Sequence, residues 1–328
     1  MILSNDKKIF IRAMVHIILL FGFMIYTATP IAKSESADSS INNHKPNMVD
    51  ERFELVSLVF RLAGRQEYSE EITAYQKEIS ETFAGFRNHP IVHFAKTLPL
   101  GYDAVFRFAV HMIKEDGQFA FIEDIDSLVD DGRWTKETAN IFIDYLNDFY
   151  VETDYAGFYN SRLPFFEKET EKFIRLAYSY IDLSWFDTYV DSNSLRCIYT
   201  PSATKSNYAA VVNQKYVYCG VAGAGGVIVH EFCHSFSNPL ARKWYEENEV
   251  FRQWCDESVK WMRDRFYADA LIVVGEYVTR AYHCLYNLEH GYFEQRNALS
   301  QHFKMERSYG FRYFEDVFNM VVAFENER

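Results

Sequence analysis

Two features are missing from this sequence of 328 residues: clusters of Lys and Arg, and the G-x-x-x-x-G-K pattern of a phosphate-binding loop. Acidic residues outnumber basic ones by 46 to 34, which gives a net charge of −12. Because contacts with phosphates require basic surface, we expect no nucleic-acid partner. The glycines at 220–226 are expected to let a strand turn closely into a helix.

Cysteine is scarce as well, with five residues in the whole chain and no C-x-x-C pair. These residues are Cys197, Cys219, Cys233, Cys255 and Cys284. Two interpretations stay open. Cys197 pairs with Cys219 between neighbouring strands of an exported protein, or all five are small buried hydrophobic residues, which is the interpretation that we prefer.

The apolar run at residues 13–26 is shorter than the ~20 residues that span a membrane. It follows a positive segment with Lys7, Lys8 and Arg12, and small residues come next at 27–29. This order is typical of a secretory signal peptide. We therefore expect export to the periplasm or the medium, with no stable membrane span after cleavage. The alternative is an uncleaved signal that tethers the protein to the membrane.

Composition changes along the chain predict its domain organisation. Residues 1–28 are the signal peptide or signal anchor, and the polar residues 29–47 form a disordered linker. Residues 48–190 form a helical N-terminal part and residues 191–328 a catalytic part. We expect residues 48–328 to fold as one compact unit, because 48 % of the chain is apolar and this length buries a large core.

Apolar residues recur at helical spacing over most of the N-terminal part. Phe53, Val56, Val59 and Phe60 set this pattern in the first helix, which Gly64 ends. Further helices are predicted at residues 68–86, 91–98, 104–113, 122–129, 135–150 and 155–180.

Strand-forming residues are concentrated at 195–200, 208–212 and 215–221, with Asn213-Gln214 as a tight turn between the last two. We predict a small antiparallel sheet there. An edge strand of this sheet can pair with extended substrate through backbone hydrogen bonds. The alternative is that the sheet only packs against the next helix.

The pattern His-Glu-x-x-His occurs at residues 230–234, after three apolar residues. On a helix, His230 and His234 lie on one face and can direct two imidazole nitrogens at one zinc ion. Glu231 then flanks the metal, where it can move a proton between water and a leaving group. The alternative is a pair of histidines satisfied by hydrogen bonds. Asn238-Pro239 is expected to end this helix.

A third metal ligand is expected further along, because no other histidine follows at short spacing. Glu276 is the best candidate, since it is a carboxylate in an apolar helical stretch, where a lone charge is costly. Gly275 before it would let another helix come close. The alternative is an exposed pair with Arg280 at i, i+4 spacing. The rival acids Glu249, Asp256 and Glu257 lie in a polar run that is typical of a solvated helix face.

Several residues after Glu276 are candidates for roles around the metal. Arg280 would orient Glu276 or bind a substrate carboxylate. Tyr277, Tyr282, His283 and Tyr286 can each donate a hydrogen bond to an oxyanion, and we favour His283. Each of them can instead be a packing residue.

With these residues in view, the chain resembles the gluzincins, zinc peptidases with a His-Glu-x-x-His helix and a downstream glutamate ligand. More narrowly, it is similar to an uncharacterised bacterial family of exported gluzincin-like proteins, a domain of unknown function. The resemblance lies in residues 53–64, 88–90, 230–239 and 276–281. It implies an α+β, predominantly α-helical fold with a zincin-like catalytic part, zinc held by His230, His234 and Glu276, and Glu231 as base. Several gluzincins have an acid where Arg280 stands here.

We therefore predict a zinc-dependent hydrolase, a peptidase that acts on peptide or protein substrates. Two alternatives are an exported zinc-binding or interaction protein without catalysis, and a zinc hydrolase of a non-peptide amide or ester.

Overall fold

The structure is a computed structural model, and it describes residues 49–70, 73–99, 104–122, 125–129, 132–203, 207–212, 215–220, 225–262, 270–294 and 297–328. The predicted signal peptide and linker lie outside these residues. None of the helices in the described ranges has both the length and the apolarity that a membrane span needs.

Contacts along the chain divide it into two compact units. The first unit contains the described residues up to 182 together with Asp191–Gly225, and the second contains Leu183–Val190 and Gly226–Arg328. The predicted sheet strands thus belong to the first unit, and the His-Glu-x-x-His motif belongs to the second.

The first unit is mainly helical and is built around its first helix. Helix α1 (Glu51–Leu62) is capped at its N-terminus by Asp50, whose side chain accepts a hydrogen bond from the backbone N–H of Arg52. Almost all residues of α1 are buried. Buried Glu54 of α1 accepts hydrogen bonds from the hydroxyls of Tyr75 (2.6 Å) and Ser202 (2.8 Å). The later helices are α2 (Gln66–Ser69), α3 (Ala74–Thr82), α4 (Pro90–Thr97), α5 (Ala104–Val110), α6 (Asp126–Val129), α7 (Lys136–Glu152), α8 (Tyr155–Ser161) and α9 (Leu163–Leu176).

Four predicted helices of this unit are shorter than their apolar pattern suggested. The helix predicted at 68–86 is divided, because α2 ends at Ser69 and a capping box of Thr73 and Gln76 starts α3 at Ala74. The helix predicted at 104–113 ends at Val110, and β1 (Met112–Glu115) and β2 (Gln118–Phe121) follow as an antiparallel hairpin. The helix predicted at 122–129 is formed only as α6. The helix predicted at 155–180 is interrupted at Arg162, which separates α8 from α9. Pro164 at the start of α9 favours a new helix there, because proline fits only the first turn.

The sheet of the first unit has three strands in the order β3-β5-β4: β3 (Leu195–Tyr199), β4 (Asn207–Val212) and β5 (Lys215–Gly220). Strands β4 and β5 are antiparallel, as predicted for the hairpin. The prediction of a wholly antiparallel sheet was wrong, because β3 runs parallel to β5. Strand β3 pairs with the strand two places along the chain, so it does not need the reversal that a hairpin imposes.

In its described residues, the second unit contains helices joined by turns and no strand. Its helices are α10 (Leu183–Phe186), α11 (Gly225–Glu247, which starts one residue before the unit), α12 (Glu249–Met262), α13 (Ala270–Glu289), α14 (Ala298–Tyr309) and α15 (Phe314–Glu327). Aromatic rings fill the space between α10, α11 and α13. Phe186 is fully buried and meets the ring of Phe232 edge-on at 5.8 Å, and Phe236 stacks on Tyr189 at 4.2 Å. One side of α11 is therefore anchored by aromatic packing.

Helix α11 continues through Pro239 to Glu247, so the prediction that Asn238-Pro239 ends the helix was wrong. An internal proline removes one backbone hydrogen bond. Packing beyond the proline offsets this loss. Ala241 is fully buried, and Trp244 makes edge contacts with Phe251 and Phe324 at 5.9 and 5.6 Å.

Four of the five cysteines have described side chains, and all four are free and buried. This agrees with the preferred interpretation for Cys197, Cys233, Cys255 and Cys284. Cys197 lies beside Tyr218 in the parallel ladder, whereas Cys219 lies beside Ile198. The two cysteines are thus one residue out of register. The side chain of Cys219 lies outside the described residues.

Candidate metal centre

The two motif histidines lie one turn apart on α11, on the side away from Phe232. The His230 and His234 side chains are 12 % and 15 % exposed, so both are shielded but open to a small ligand. Phe232 is buried, which fixes the rotation of the helix and turns the histidines outward from the aromatic packing.

Glu276 on α13 completes a group of three. Its Oε1 lies 3.4 Å from Nε2 of His234, and its Oε2 lies 3.7 Å from Nε2 of His230. One ligand atom from each residue lies within 4.8 Å of the other two, so the three could together hold a metal ion. We call His230, His234 and Glu276 the metal group.

The spacing within the metal group fits a bound cation better than direct hydrogen bonds. Two ligands of a tetrahedral ion at roughly 2.0–2.1 Å are about 3.3–3.5 Å apart. The distances of 3.4 and 3.7 Å are close to this value. An N–H···O hydrogen bond is shorter, at about 2.7–3.2 Å. Two imidazoles and one carboxylate are also a donor set that zinc accepts.

Comparison with known proteins gives no relative for this chain. It matches no protein-family model, no curated protein and no solved structure. The candidate centre therefore rests on the geometry of its own residues.

The rival acids on α12 have other partners. Asp256 accepts a hydrogen bond from the Tyr245 hydroxyl at 2.7 Å. Glu257 accepts one from the Tyr313 hydroxyl, and Gln253 donates to Glu249 at 3.5 Å. None of the three belongs to the metal group.

Arg280 holds the Glu276 carboxylate from one side. Its Nε donates a hydrogen bond to Oε2 of Glu276 at 3.0 Å, as the i, i+4 spacing predicted. The same guanidinium donates from Nη1 to buried Glu306 on α14 at 3.0 Å, and it lies 4.6 Å from the centre of the Phe311 ring. Glu306 thus balances the charge of Arg280 and fixes its position, which orients Glu276 in turn.

The electrostatics match a site for a cation. Burial raises the pKa of Glu276, but the charges of Arg280 and His230 outweigh it and hold that pKa well below its usual 4.5. Burial lowers the pKa of His234, but the Glu276 carboxylate and the Glu231 charge outweigh it and raise that pKa to about 9. A proton on His234 therefore occupies, at neutral pH, the position that a metal ion would take.

Sequence reasoning missed the residues that orient His234. Its Nδ1 lies 3.0 Å from Oδ1 of Asn238 and 2.9 Å from Oγ1 of Thr279. Because an amide oxygen only accepts hydrogen bonds, Nδ1 carries a proton, and Nε2 is the nitrogen that faces Glu276 and would bind a metal. Buried Thr279 also shares a hydrogen bond of 2.5 Å with Ser237, which joins α13 to α11.

Gly275 permits the close approach of α11 that its position suggested. A Cβ at this residue would lie 2.9 Å from Oδ1 of Asn238, the same oxygen that contacts His234. A side chain here would push the amide away from the histidine. The glycine before the carboxylate therefore serves the orientation of the second imidazole.

His283 is the predicted catalytic candidate that lies beside the metal group. It is seven residues after Glu276, so both lie on one face of α13. Its ring centre is 5.9 Å from that of His230, and the residue is 6 % exposed. Burial, followed by the charge of His230, lowers the pKa of His283 well below 6.5. The ring is therefore neutral at physiological pH.

The predicted tyrosines have partners elsewhere in the unit. The Tyr282 hydroxyl donates a hydrogen bond to Glu325 on α15 at 2.6 Å, and its ring packs edge-on against Phe236. The Tyr277 hydroxyl lies 2.6 Å from Oγ of Ser258 on α12. Tyr286 is buried against Trp185. The structure places these three in the packing between helices.

Proposed function

We propose that this protein is a zinc-dependent hydrolase of the gluzincin type, and that it cleaves peptide bonds. The observation that carries the proposal is the metal group, whose separations of 3.4 and 3.7 Å fit the ligands of one tetrahedral ion. The residue next to the first ligand is Glu231, which adds the proton-transfer group that hydrolysis requires.

Zinc suits this donor set better than the other common protein metals. Imidazole nitrogen with one carboxylate oxygen favours zinc, whereas magnesium and calcium prefer oxygen ligands alone. Three protein ligands leave a coordination position for substrate or water, which separates catalytic zinc sites from structural ones. Zinc, when bound, would polarise the scissile carbonyl and acidify a water molecule.

The chain's own residues would do the rest of the work. Glu231 adjoins His230 along the chain and is partly exposed, and its charge raises the pKa of His234, which supports a position near the metal group. It would accept the proton of the attacking water. It would then deliver that proton to the leaving nitrogen. Neutral His283 would donate its N–H to the oxygen of the carbonyl as negative charge develops there. Arg280 would keep Glu276 oriented.

The cellular setting is part of the same proposal. The charged and apolar pattern of the first residues predicts export, so the substrates would be peptides or proteins met outside the cytoplasm. The resemblance to exported gluzincin-like proteins is consistent with this setting.

The test uses the purified full chain loaded with zinc. We expect one zinc ion per chain by elemental analysis and hydrolysis of members of a fluorescence-quenched peptide library. Glu231→Gln should retain zinc and lose at least about 100-fold in kcat/KM, because general base catalysis contributes roughly 10²–10⁴-fold. Glu246→Gln, an exposed change on the same helix, should leave both properties unchanged.

Other outcomes would overturn the proposal in different ways. Zinc binding without hydrolysis of any peptide, amide or ester would indicate an exported binding protein. Hydrolysis of a non-peptide amide or ester alone would keep the metal chemistry and correct the substrate. Full activity in Glu231→Gln would remove the assigned base.

A further inference from the structure

An open pocket of about 290 Å³ begins at the metal group. His234 and Glu276 form part of its wall, so the pocket adjoins two of the three residues of the metal group. The rest of the lining comes from the same two helices, α11 and α13: Asn238, Arg242, Leu271, Ile272, Val274 and Gly275.

The pocket combines an apolar wall with one cation. Leu271 and Ile272 are 50 % and 49 % exposed, although both are large hydrophobic residues, and Val274 continues their side of the pocket. Arg242 is also exposed. An apolar wall with one charged group is typical of a site that fixes a ligand's orientation with a single polar contact.

Arg242 is available for a ligand. In the part of the chain that the structure describes, no hydrogen bond or ion pair joins Arg242 to another residue. The other arginine near the metal group, Arg280, is already bound to Glu276 and Glu306. In a chain with a net charge of −12, an unmatched cation beside the site gives a local preference for anionic groups.

The position of Arg242 sets where the anion lies in the substrate. Arg242 lies eight residues after His234 on α11, which is just over two helical turns and about 12 Å along the helix axis. Helical side chains lean toward the N-terminus, which brings the guanidinium back toward the metal group. An extended peptide covers roughly 3.3–3.6 Å per residue. A carboxylate one or two residues from the cleaved bond is therefore within reach.

We propose that this pocket binds a carboxylate of the substrate through Arg242. The inference rests on the proposed function and adds the substrate class. The substrates would be peptides with an anionic group within about two residues of the cleaved bond. An apolar side chain next to that group would lie against Leu271, Ile272 and Val274. A guanidinium holds a carboxylate with two parallel hydrogen bonds, which also fixes the register of the chain. The carboxylate comes from a free carboxyl end or from an acidic side chain.

Binding measurements separate this inference from catalysis. The protein is the zinc-loaded Glu231→Gln full chain, and calorimetry measures its affinity for N-acetyl-Ala-Leu-Leu as the free acid and as the carboxamide. We expect the acid to bind about tenfold more tightly than the amide. This is near the lower end of the affinity that a hydrogen bond to a charged group contributes, because the site is partly exposed and water competes for the contact. The added change Arg242→Gln should abolish this difference and leave affinity for the amide unchanged.

The matched control is Lys243→Gln. Lys243 is the exposed neighbour of Arg242 and pairs with Glu247 at 4.0 Å, but it does not line the pocket. This variant removes the same charge and should keep the preference for the acid. A third probe, N-acetyl-Ala-Leu-Asp carboxamide, identifies the source of the carboxylate. Binding that depends on Arg242 would support recognition of an acidic side chain.

The outcomes distinguish the two proposals. Equal affinity for the acid and the amide, or an equal effect of Lys243→Gln and Arg242→Gln, would overturn the role of Arg242. If the wild-type protein hydrolyses peptides without preference for carboxylates, the proposed function stands and the pocket assignment fails. If it binds acids through Arg242 but hydrolyses nothing, the pocket assignment stands and the proposed function fails.

Discussion

Replacing Glu276 with glutamine keeps the shape of the side chain and removes its charge. The change acts on both partners of the carboxylate in the metal group, because Oε1 faces His234 and Oε2 faces His230. Arg280 retains its ion pair with Glu306, so the guanidinium should keep its position in the variant.

The distance of 3.4 Å between Nε2 of His234 and Oε1 of Glu276 gives the size of the effect. Two unit charges this far apart attract by about 5 kcal/mol at an effective dielectric constant of ~20. That energy corresponds to a pKa rise of roughly 3 to 4. Burial opposes it, and the His234 pKa is about 9 instead of its usual 6.5. Without the carboxylate, burial dominates, and we expect the pKa of His234 to fall below 6.5.

Two assays follow the same variant. NMR titration of metal-free protein measures the pKa of His234, and competition with a fluorescent chelator measures zinc affinity. Loss of an anionic ligand should weaken zinc binding by more than about 100-fold. Even residues that only form hydrogen bonds with metal ligands change metal affinity by about 10–100-fold when they are mutated. Glu289→Gln is the matched control, because Glu289 is a carboxylate of the same helix bound to Trp185. Zinc affinity within threefold of wild type would refute the assignment of Glu276.

Three further predictions concern the second histidine. Thr279→Val removes a hydroxyl 2.9 Å from Nδ1 of His234, and zinc affinity measured by chelator competition should fall about 10–100-fold. An unchanged zinc affinity would show that Asn238 alone is enough to orient His234. Gly275→Ala places a Cβ 2.9 Å from Oδ1 of Asn238 and should weaken zinc binding about tenfold. The thermal unfolding temperature should fall little, because alanine favours a helix over glycine by about 1 kcal/mol. A large fall in both zinc affinity and unfolding temperature would indicate general damage to the fold. Zinc affinity should rise about tenfold per pH unit up to about pH 9, because below that pH the ion must displace the proton of His234. Calorimetry in buffers of different ionisation enthalpy should detect one proton released at pH 7. A zinc affinity that does not change with pH would contradict this prediction.

The metal group was predictable because its signals are local. The i, i+4 spacing of His230 and His234 places both rings on one helix face, and Glu276 is conspicuous as a charge among apolar residues. The position of His283 beside the metal group was also predictable from helix geometry. His283 follows Glu276 by two full turns, whereas Tyr282 falls on another face and reaches Glu325.

Other features had weak or misleading signals. Thr279 contacts His234 from another helix, and a buried hydroxyl in an apolar helix has no distinguishing pattern in sequence. Pro239 predicts a helix end, but the helix continues through it, and Trp244 beyond the proline packs against Phe324. The β1–β2 hairpin did have a signal. Asp116-Gly117 adopts positive φ at both residues, as an Asp-Gly turn between strands does.

The parallel position of β3 could not be read from local patterns. Hydrophobic alternation identifies a strand but gives no direction for its pairing. The Asn213-Gln214 pattern in the sequence predicts an antiparallel neighbour only for β4 and β5, and these two strands do pair antiparallel. Pairing of β3 with β5 is a non-local choice that the packing of the whole unit decides.

The three members of the metal group come from only two helices, with all of α12 between them along the chain. An ion held by all three would act as a removable crosslink that closes this long loop. Its free energy of binding would be added to the stability of the second unit, because unfolding must release the ion. Metal scarcity would then do more than stop a reaction: it would leave the unit easier to unfold and more open to proteolysis, so abundance of the protein would follow supply of the ion.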